Sequence, residues 1–323
     1  MQYWLLLWYY LAMDIRSLKY FLALAENLHF GRASAVSHIS LSTLSRQIRQ
    51  LEEDLGVDLF VRDNRSVQLT HEGQLFMQYA REAIGQWRMV RNQLSEVGDH
   101  LHGEVSLYCS VTAVYSLLFD LFNELRVAFP EIEIKLHTGD PGHAIERVQA
   151  GEEDMSIAAH PGILPRGLAF KPITISPLVF IAPIDDHDLT ALPLQVESES
   201  AKEDFAKSWS QVPMILPEAG LSRKRIDNWF RQFATVPQVY AQVAGNEAIV
   251  TMVSLGLGVG VVPKIVLDNS PVVDRVRILP LQPELEPYNV GIFVQQKSLN
   301  NPLVAAFWSK IPAGNEAIEE SAS

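Results

Sequence analysis

The stretch FGRASAVSHISLSTLSRQIRQLEEDLG, residues 30–56, decides how the rest of the chain is read. Residues 31–37 read as a short helix with Ala33 and Val36 turned inward, His38-Ile39-Ser40 as a turn, and a further helix runs to about Leu55. Ser40 suits the N-cap of that helix, because its hydroxyl can accept from an otherwise orphaned backbone N–H. Leu44, Ile48, Leu51 and Leu55 recur every three or four residues and define a buried stripe. Gly56 then stops the helix. The face left over holds Ser42, Thr43, Ser45, Arg46, Gln47, Arg49 and Gln50. Such side chains reach base edges or phosphates. In a helix-turn-helix the N-terminal part of the second helix enters the major groove. Here the donors stand at that end and the acidic residues 52–54 at the other.

A solvated amphipathic helix would present a similar face. Residues 13–72 hold seven Lys/Arg against eight Asp/Glu, so the segment is not basic overall. The arginines are nonetheless concentrated from the short helix onward, as Arg32, Arg46, Arg49, Arg62 and Arg65. Before the quoted stretch, Leu18, Phe21, Leu22 and Ala25 give residues 15–26 one buried helical face. After it, VRDNRSVQL reads as two short strands around an Asp-Asn turn. This small wing would carry Arg62 and Arg65 near its tip, suited to the DNA backbone or minor groove.

Thr70 caps a long helix reaching about Val97. Phe76, Tyr79, Ala83, Trp87, Val90, Leu94 and Val97 alternate in steps of three and four, the coiled-coil spacing. A seam this narrow with a Trp on it fits pairing with a second copy; packing against the chain's own C-terminal domain is the alternative. GDHLHG, residues 98–103, reads as a hinge.

From Gly103 strands alternate with helices, and the rhythm restarts after about Ile175. That pattern argues for parallel sheets covered by helices. Open α/β sheets bind ligands beyond the carboxyl ends of their strands. Ser110, Val111 and Thr112 follow the first strand, Thr138 and Gly139, with Asp140, end the next, Glu218 to Ser222 precede a helix of the second half, and Asn246 begins another. Hydroxyls and free N–H groups there suit a carboxylate. Each residue taken singly is equally an ordinary helix cap.

Composition narrows the field. The net charge of −12 rules out a general polyanion binder, so any nucleic-acid contact must be local. One cysteine, Cys109, excludes an internal disulfide and a cysteine metal cluster. The opening MQYWLLLWYYLA is too short to span a bilayer and lacks the basic start of a signal peptide. Residues 1–12 read as an upstream extension before a natural start at Met13, with a membrane-surface anchor as the alternative.

The run LSRQIRQLEEDLGVDLFVR followed by LTHEG resembles the winged helix-turn-helix of LysR-type transcriptional regulators, and the likeness extends from residue 13 to about 312. Within that family, HFGRASAVSHISLSTLSRQI, CSVTAVYS, IEIKLHTGD and RKRIDNWFRQ are similar to an activator of branched-chain amino-acid biosynthesis genes. Two departures are the extra N-terminal dozen residues and ASAVSHIS, where many relatives carry larger or charged residues.

The resemblance implies an N-terminal all-α winged helix-turn-helix (13–70), a linker and dimerisation helix (71–97), and an α/β effector domain like a periplasmic binding protein. The last would comprise two Rossmann-like subdomains, 101–175 with 279–315, and 176–278. It further implies a cytoplasmic homodimer or homotetramer that binds operator DNA, meets RNA polymerase, needs no cofactor or metal, and is not an enzyme. The small organic acid effector would be acetolactate or acetohydroxybutyrate.

Other signals are set aside. GLGVG, residues 256–260, lacks the strand–loop–helix order of a dinucleotide site. His100 and His102 have no third ligand nearby in sequence. Residues 223–225, RKR, read as a solvated face or a subunit contact. Cys109 reads as packed. A solute-binding protein would need export, and an enzyme a catalytic constellation that is not evident.

Overall fold

The computed structural model describes residues 14–63, 66–95, 101–185, 192–196 and 201–311; the readings for residues 1–12, Arg65, Val97 and residues 98–100 lie outside them. The chain divides into two compact units, Met1–Val97 with Ala150–Glu152, and the remainder from Gly98 onward.

In the first unit, α1 (Ile15–Asn27), α2 (Phe30–Val36) and α3 (Leu41–Leu55) precede a two-stranded antiparallel wing, β1 (Phe60–Arg62) and β2 (Val67–Leu69), and the long α4 (His71–Ser95). Each early helix starts on a side-chain cap. Asp14 accepts from Ser17 N at 2.7 Å, and this N–H bond holds its carboxyl below the usual range. His29 Nδ1 accepts from Gly31 N at 3.1 Å and Arg32 N at 3.2 Å. Ser40 Oγ accepts from Thr43 N at 3.1 Å, as its sequence position suggests.

Leu18, Phe21, Leu24, Ala33, Leu44, Ile48 and Leu51 meet in one core with Phe76, Ala80 and Ile84 of α4. Phe21 packs edge-on to Phe76, ring centroids 4.8 Å apart. Two residues expected inside face out: Val36 is 63% exposed and Leu55 40%. Each is the last residue of its helix, and the core ends before it. Ser34 takes the inward place on α2, its hydroxyl donating to Gly31 O at 2.9 Å.

Thr70 seats α4, accepting from Gly73 N at 2.8 Å and donating to Asp58 O at 2.8 Å. A Cβ on Gly73 would lie 2.1 Å from Leu59 O, so only glycine lets the helix pass the backbone just before the wing's first strand this closely.

The second unit holds two five-stranded sheets. One is built from β3 (Gly103–Cys109), β4 (Ile132–Thr138), β5 (Met155–Ala159), β6 (Leu168–Ser176) and β12 (Tyr288–Gln295), in the order β4-β3-β5-β12-β6. The other uses β7 (Leu178–Pro183), β8 (Pro213–Pro217), β9 (Gln238–Val243), β10 (Val259–Pro263) and β11 (Val276–Leu279), in the order β11-β7-β10-β8-β9.

The expectation of parallel sheets holds for three strands in each. β12 runs antiparallel to β5 and β6, and β7 antiparallel to β10 and β11. These strands enter by crossing from the other half, not through a helical crossover, so nothing compels them to run parallel.

The helices are α5 (Val111–Leu117), α6 (Phe119–Ala128), α7 (Ala144–Gln149), α8 (Ala201–Trp209), α9 (Gly220–Gln232), α10 (Asn246–Ser254), α11 (Lys264–Asp268) and α12 (Pro302–Lys310). Phe180, Phe205, Trp209, Trp229 and Phe230 form an aromatic cluster within the main core. Cys109 is buried in that core, and burial pushes its thiol up to about 12.

Candidate nucleic-acid interface and ligand cleft

On α3 the buried stripe of Leu44, Ile48 and Leu51 leaves Ser42, Thr43, Arg46, Arg49 and Gln50 exposed, with Ser45 and Gln47 at the margin. The hydroxyls at the helix start are linked: Ser40 Oγ lies 2.9 Å from Ser42 Oγ and 2.8 Å from Thr43 Oγ1. Gln50 donates to Asp54 Oδ1 at 2.8 Å, which steadies its amide one turn from the acidic end. Arg32 is exposed and donates to Asn27 O at 2.7 Å. The helix therefore offers two arginines and a patch of hydroxyls on one face, the chemistry that phosphates and base edges require.

The wing differs from expectation. Glu52, counted among the trailing acids, is buried. Its Oε1 accepts from Leu59 N at 3.0 Å and Phe60 N at 3.1 Å, and its Oε2 pairs with Arg62. The Arg62 guanidinium also lies 5.3 Å from the Phe30 ring centroid. Arg62 is thus not a free cation at the wing tip: it ties the wing's first strand to α3 and α2. A carboxylate at the edge of an apolar stripe was the available sequence signal, but its partners lie seven to ten residues away.

The α4 seam is also redistributed. Phe76 belongs to the head's own core, because the turn of helix that carries it packs on Phe21. Tyr79, Trp87, Val90 and Leu94 are exposed, joined by Leu75, and Ala83 is half-buried. The apolar face open on α4 therefore begins at Leu75 and Tyr79.

A cavity of about 330 Å³ lies between the two halves of the second unit, at the lower end for a small-molecule site. Ser110, Thr112, Glu218 and Asn246 line it, as the strand-end rule suggests. Three expected residues do not. Val111 points outward. Thr138 and Gly139 stop short of the wall, and the loop reaches the cavity through Asp140, Pro141 and Gly142. Gly139 is instead needed for close approach, since a Cβ there would lie 2.3 Å from the Tyr108 hydroxyl, which donates to Asp140 O at 3.0 Å.

Ser116, Lys224 and Tyr288 also belong to the polar wall and were not assigned to a ligand site from sequence. Ser116 sits one turn after Thr112, and its hydroxyl donates to Thr112 O at 2.7 Å. Lys224 belongs to the triplet read as a solvated face; it is exposed, but on the cavity side. The Tyr288 and Ser222 hydroxyls are hydrogen-bonded, and burial raises the Tyr288 hydroxyl's pKa. The Arg225 guanidinium lies 5.0 Å from the Tyr288 ring centroid and donates to Pro287 O at 2.9 Å.

Lys224 is the single cation among the described residues of the wall, which also carries Asp140 and Glu218. Asp140 already accepts from Gly142 N at 2.8 Å. Hydroxyls, an ammonium and an apolar floor of Ile157, Val266 and Val290 suit a small, oxygen-rich organic acid. Among the described residues there is no His/Cys/Asp/Glu group fit to hold a metal and no helix long and apolar enough to cross a membrane.

Comparison with known proteins agrees with this division of labour. Residues 15–74 match the model of the bacterial regulatory helix-turn-helix protein, lysR family, and residues 98–313 match the LysR substrate binding domain. The HTH-type transcriptional activator IlvY of Salmonella typhimurium is 45% identical over 303 residues, covering 93% of this chain and 100% of that protein. The HTH-type transcriptional regulator IlvY of Escherichia coli is 45% identical, covering 93% and 99%.

Among solved structures, a full-length OxyR variant from Pseudomonas aeruginosa aligns with a TM-score of 0.63 at 21% identity, covering 93% of this chain and 94% of that one. Full-length CbnR in complex with its target DNA aligns at 0.57 and 20%, covering 93% and 99%. These last two likenesses speak for the fold. With both family models matched in order across a head that exposes Arg46 and Arg49 and a domain that encloses a polar cleft, the chain belongs to the LysR family of DNA-binding transcriptional regulators.

Proposed function

We propose that this regulator activates genes of branched-chain (isoleucine and valine) amino-acid biosynthesis and answers to an acetohydroxy acid, acetolactate or acetohydroxybutyrate. The observation that carries the reading is end-to-end similarity to IlvY activators, 45% over 93% of the chain, which includes the cleft as well as the head. The cleft chemistry supports it. An acetohydroxy acid presents a carboxylate, a hydroxyl and a ketone, and the wall offers Lys224, the hydroxyls of Ser110, Thr112, Ser116 and Ser222, and Asn246.

In this reading Ser42, Thr43, Ser45, Arg46, Gln47, Arg49 and Gln50 lie in the major groove, with Ser40 and Arg32 beside the backbone. Tyr79, Ala83, Trp87, Val90 and Leu94 pair two copies, so that two heads read two half-sites. The protein works in the cytoplasm, as a dimer or a pair of dimers, and the effector alters DNA bending and contact with RNA polymerase.

A gel-shift assay on the DNA upstream of the adjacent genes, with and without acetolactate, tests the proposal. Arg46→Ala and Arg49→Ala should each weaken binding and flatten its salt dependence by about one phosphate's worth of slope. Unchanged binding in both variants would remove α3 as the reader. A normal shift that ignores both acetohydroxy acids would point to a LysR-type regulator of another pathway, with a different organic acid as effector.

A further inference from the structure

A carboxylate from one half of the ligand-binding unit is held by donors of the other, a contact that stands beside the Ser222–Tyr288 hydroxyl pair and the Arg225–Glu286 ion pair. Thr112, only 2% exposed, lies in the first turn of α5. Its backbone N–H donates to Glu247 Oε1 at 3.3 Å, and its hydroxyl donates to the same oxygen. Glu247 lies in the first turn of α10, in the other half, and is half-buried. Thr112 therefore already holds a carboxylate with both its donors.

Of the neighbouring hydroxyls, Ser116 Oγ donates its proton to Thr112 O at 2.7 Å, while Ser110 Oγ accepts from Ala113 N at 3.2 Å and keeps a proton to offer a ligand. Lys224 faces the same cavity and has no ion-pair partner among the described residues. The other charges on the wall are Asp140, bound to Gly142 N, and the exposed Glu218.

We infer that Glu247 is a specificity-determining residue of the effector site: an internal carboxylate that occupies the place on Thr112 which the effector's carboxylate takes. The inference rests on the organic-acid reading above. Its logic is exchange. A ligand carboxylate replaces the Glu247 carboxylate without loss of the two charge-assisted hydrogen bonds, while Glu247, half-buried, swings to water. Lys224 offsets the charge brought in. A neutral ligand cannot make that exchange, because displacing Glu247 would leave the buried Thr112 donors with a weaker acceptor. The same event removes one of the ties between the halves, so occupancy and the relation of the two halves are coupled through Glu247.

The test is calorimetry on the full chain with acetolactate and with acetoin, the same skeleton without its carboxylate. Glu247→Gln keeps the shape and removes the charge; it should bind acetolactate about tenfold more tightly than the parent, a change of about 1.4 kcal/mol in binding. Glu247→Ala should act in the same direction, and Thr112→Val should weaken acetolactate about tenfold. Acetoin should bind weakly throughout and gain nothing from Glu247→Gln.

Unchanged or weaker acetolactate binding in both Glu247 variants overturns the inference, as does an equal gain for acetoin. No heat from acetolactate with any of the proteins would sink the effector assignment instead. The tie is then judged on the ligand-free chain by hydrogen exchange of the Thr112 amide. Glu247→Gln should speed that exchange about tenfold, and an unchanged rate overturns the inference on its own.

Discussion

Replacing Glu52 by alanine should loosen the wing far more than replacing the arginine it pairs with. Glu52 is one of the few buried charges in the head, and three donors converge on it: Leu59 N at 3.0 Å, Phe60 N at 3.1 Å and the Arg62 guanidinium. Leu59 and Phe60 are themselves buried, so water cannot replace the lost acceptor without opening the strand. Leaving a buried N–H unsatisfied costs about 1–3 kcal/mol. Glu52→Ala strands two such groups, while Arg62, its side chain 29% exposed, recovers its hydration, so the loss comes to about 3 kcal/mol.

Arg62→Ala leaves Glu52 its two backbone bonds and opens the part-exposed place of the guanidinium to water, so the carboxylate keeps its solvation and the cost should be about 1 kcal/mol. The assay is hydrogen exchange of the Leu59 and Phe60 amides in the full chain, read by mass spectrometry on peptides spanning 57–70. Protection reports the free energy of local opening. About 3 kcal/mol corresponds to a little over hundredfold faster exchange, against about fivefold for Arg62→Ala. Equal rates in the two variants, or less than a tenfold effect in Glu52→Ala, would refute the idea that this carboxylate holds the wing to α3.

His29→Ala should destabilise the helix-turn-helix by about 1 kcal/mol, because the cap of α2 is lost, while His29→Asn should restore most of it; thermal melts of the two variants decide. Cys109 should resist iodoacetamide in the native state and react readily in urea, since burial raises its thiol to about 12. That same shift stabilises the fold fully below the unfolded thiol pKa near 9.0, and stability should fall as pH rises from there toward 12, a slope that Cys109→Ser removes. Trp87→Glu places a charge on the open face of α4 and should shift sedimentation toward monomer at micromolar concentration while circular dichroism stays unchanged.

What the sequence disclosed followed the range of the interactions involved. The stripe of Leu44, Ile48 and Leu51, the Ser40 cap and the Thr70 seat arise within a few residues and were legible. The strand-end rule found Ser110, Thr112, Glu218 and Asn246. It missed Tyr288, whose hydroxyl partner Ser222 is 66 positions away, and it could not tell which residue of a loop points inward, hence Val111 and Gly139.

β6 leaves little trace in the sequence, because Pro172 interrupts its run of strand-forming residues. The strand lies at the sheet edge, where a missing N–H is tolerated, and Pro172 pairs with Gly291 at a register shift. Glu247 looked like an acidic residue in a helix's first turn. Its contact with Thr112 spans 135 positions and needs both halves of the fold in place.

The long α4 belongs to two structures at once. Phe76, Ala80 and Ile84 fasten its first turns inside the head, while Tyr79, Trp87 and Val90 stand on a face left bare by that same packing. Because one unbroken rod carries both, the angle between anchoring and bare faces is fixed by residue count, at about 100° for each residue. An alanine inserted between Ile84 and Trp87 would leave Phe76, Ala80 and Ile84 seated yet turn Trp87, Val90 and Leu94 by about 100° away from Tyr79, so the continuity of the bare face is written into α4 as a number of residues.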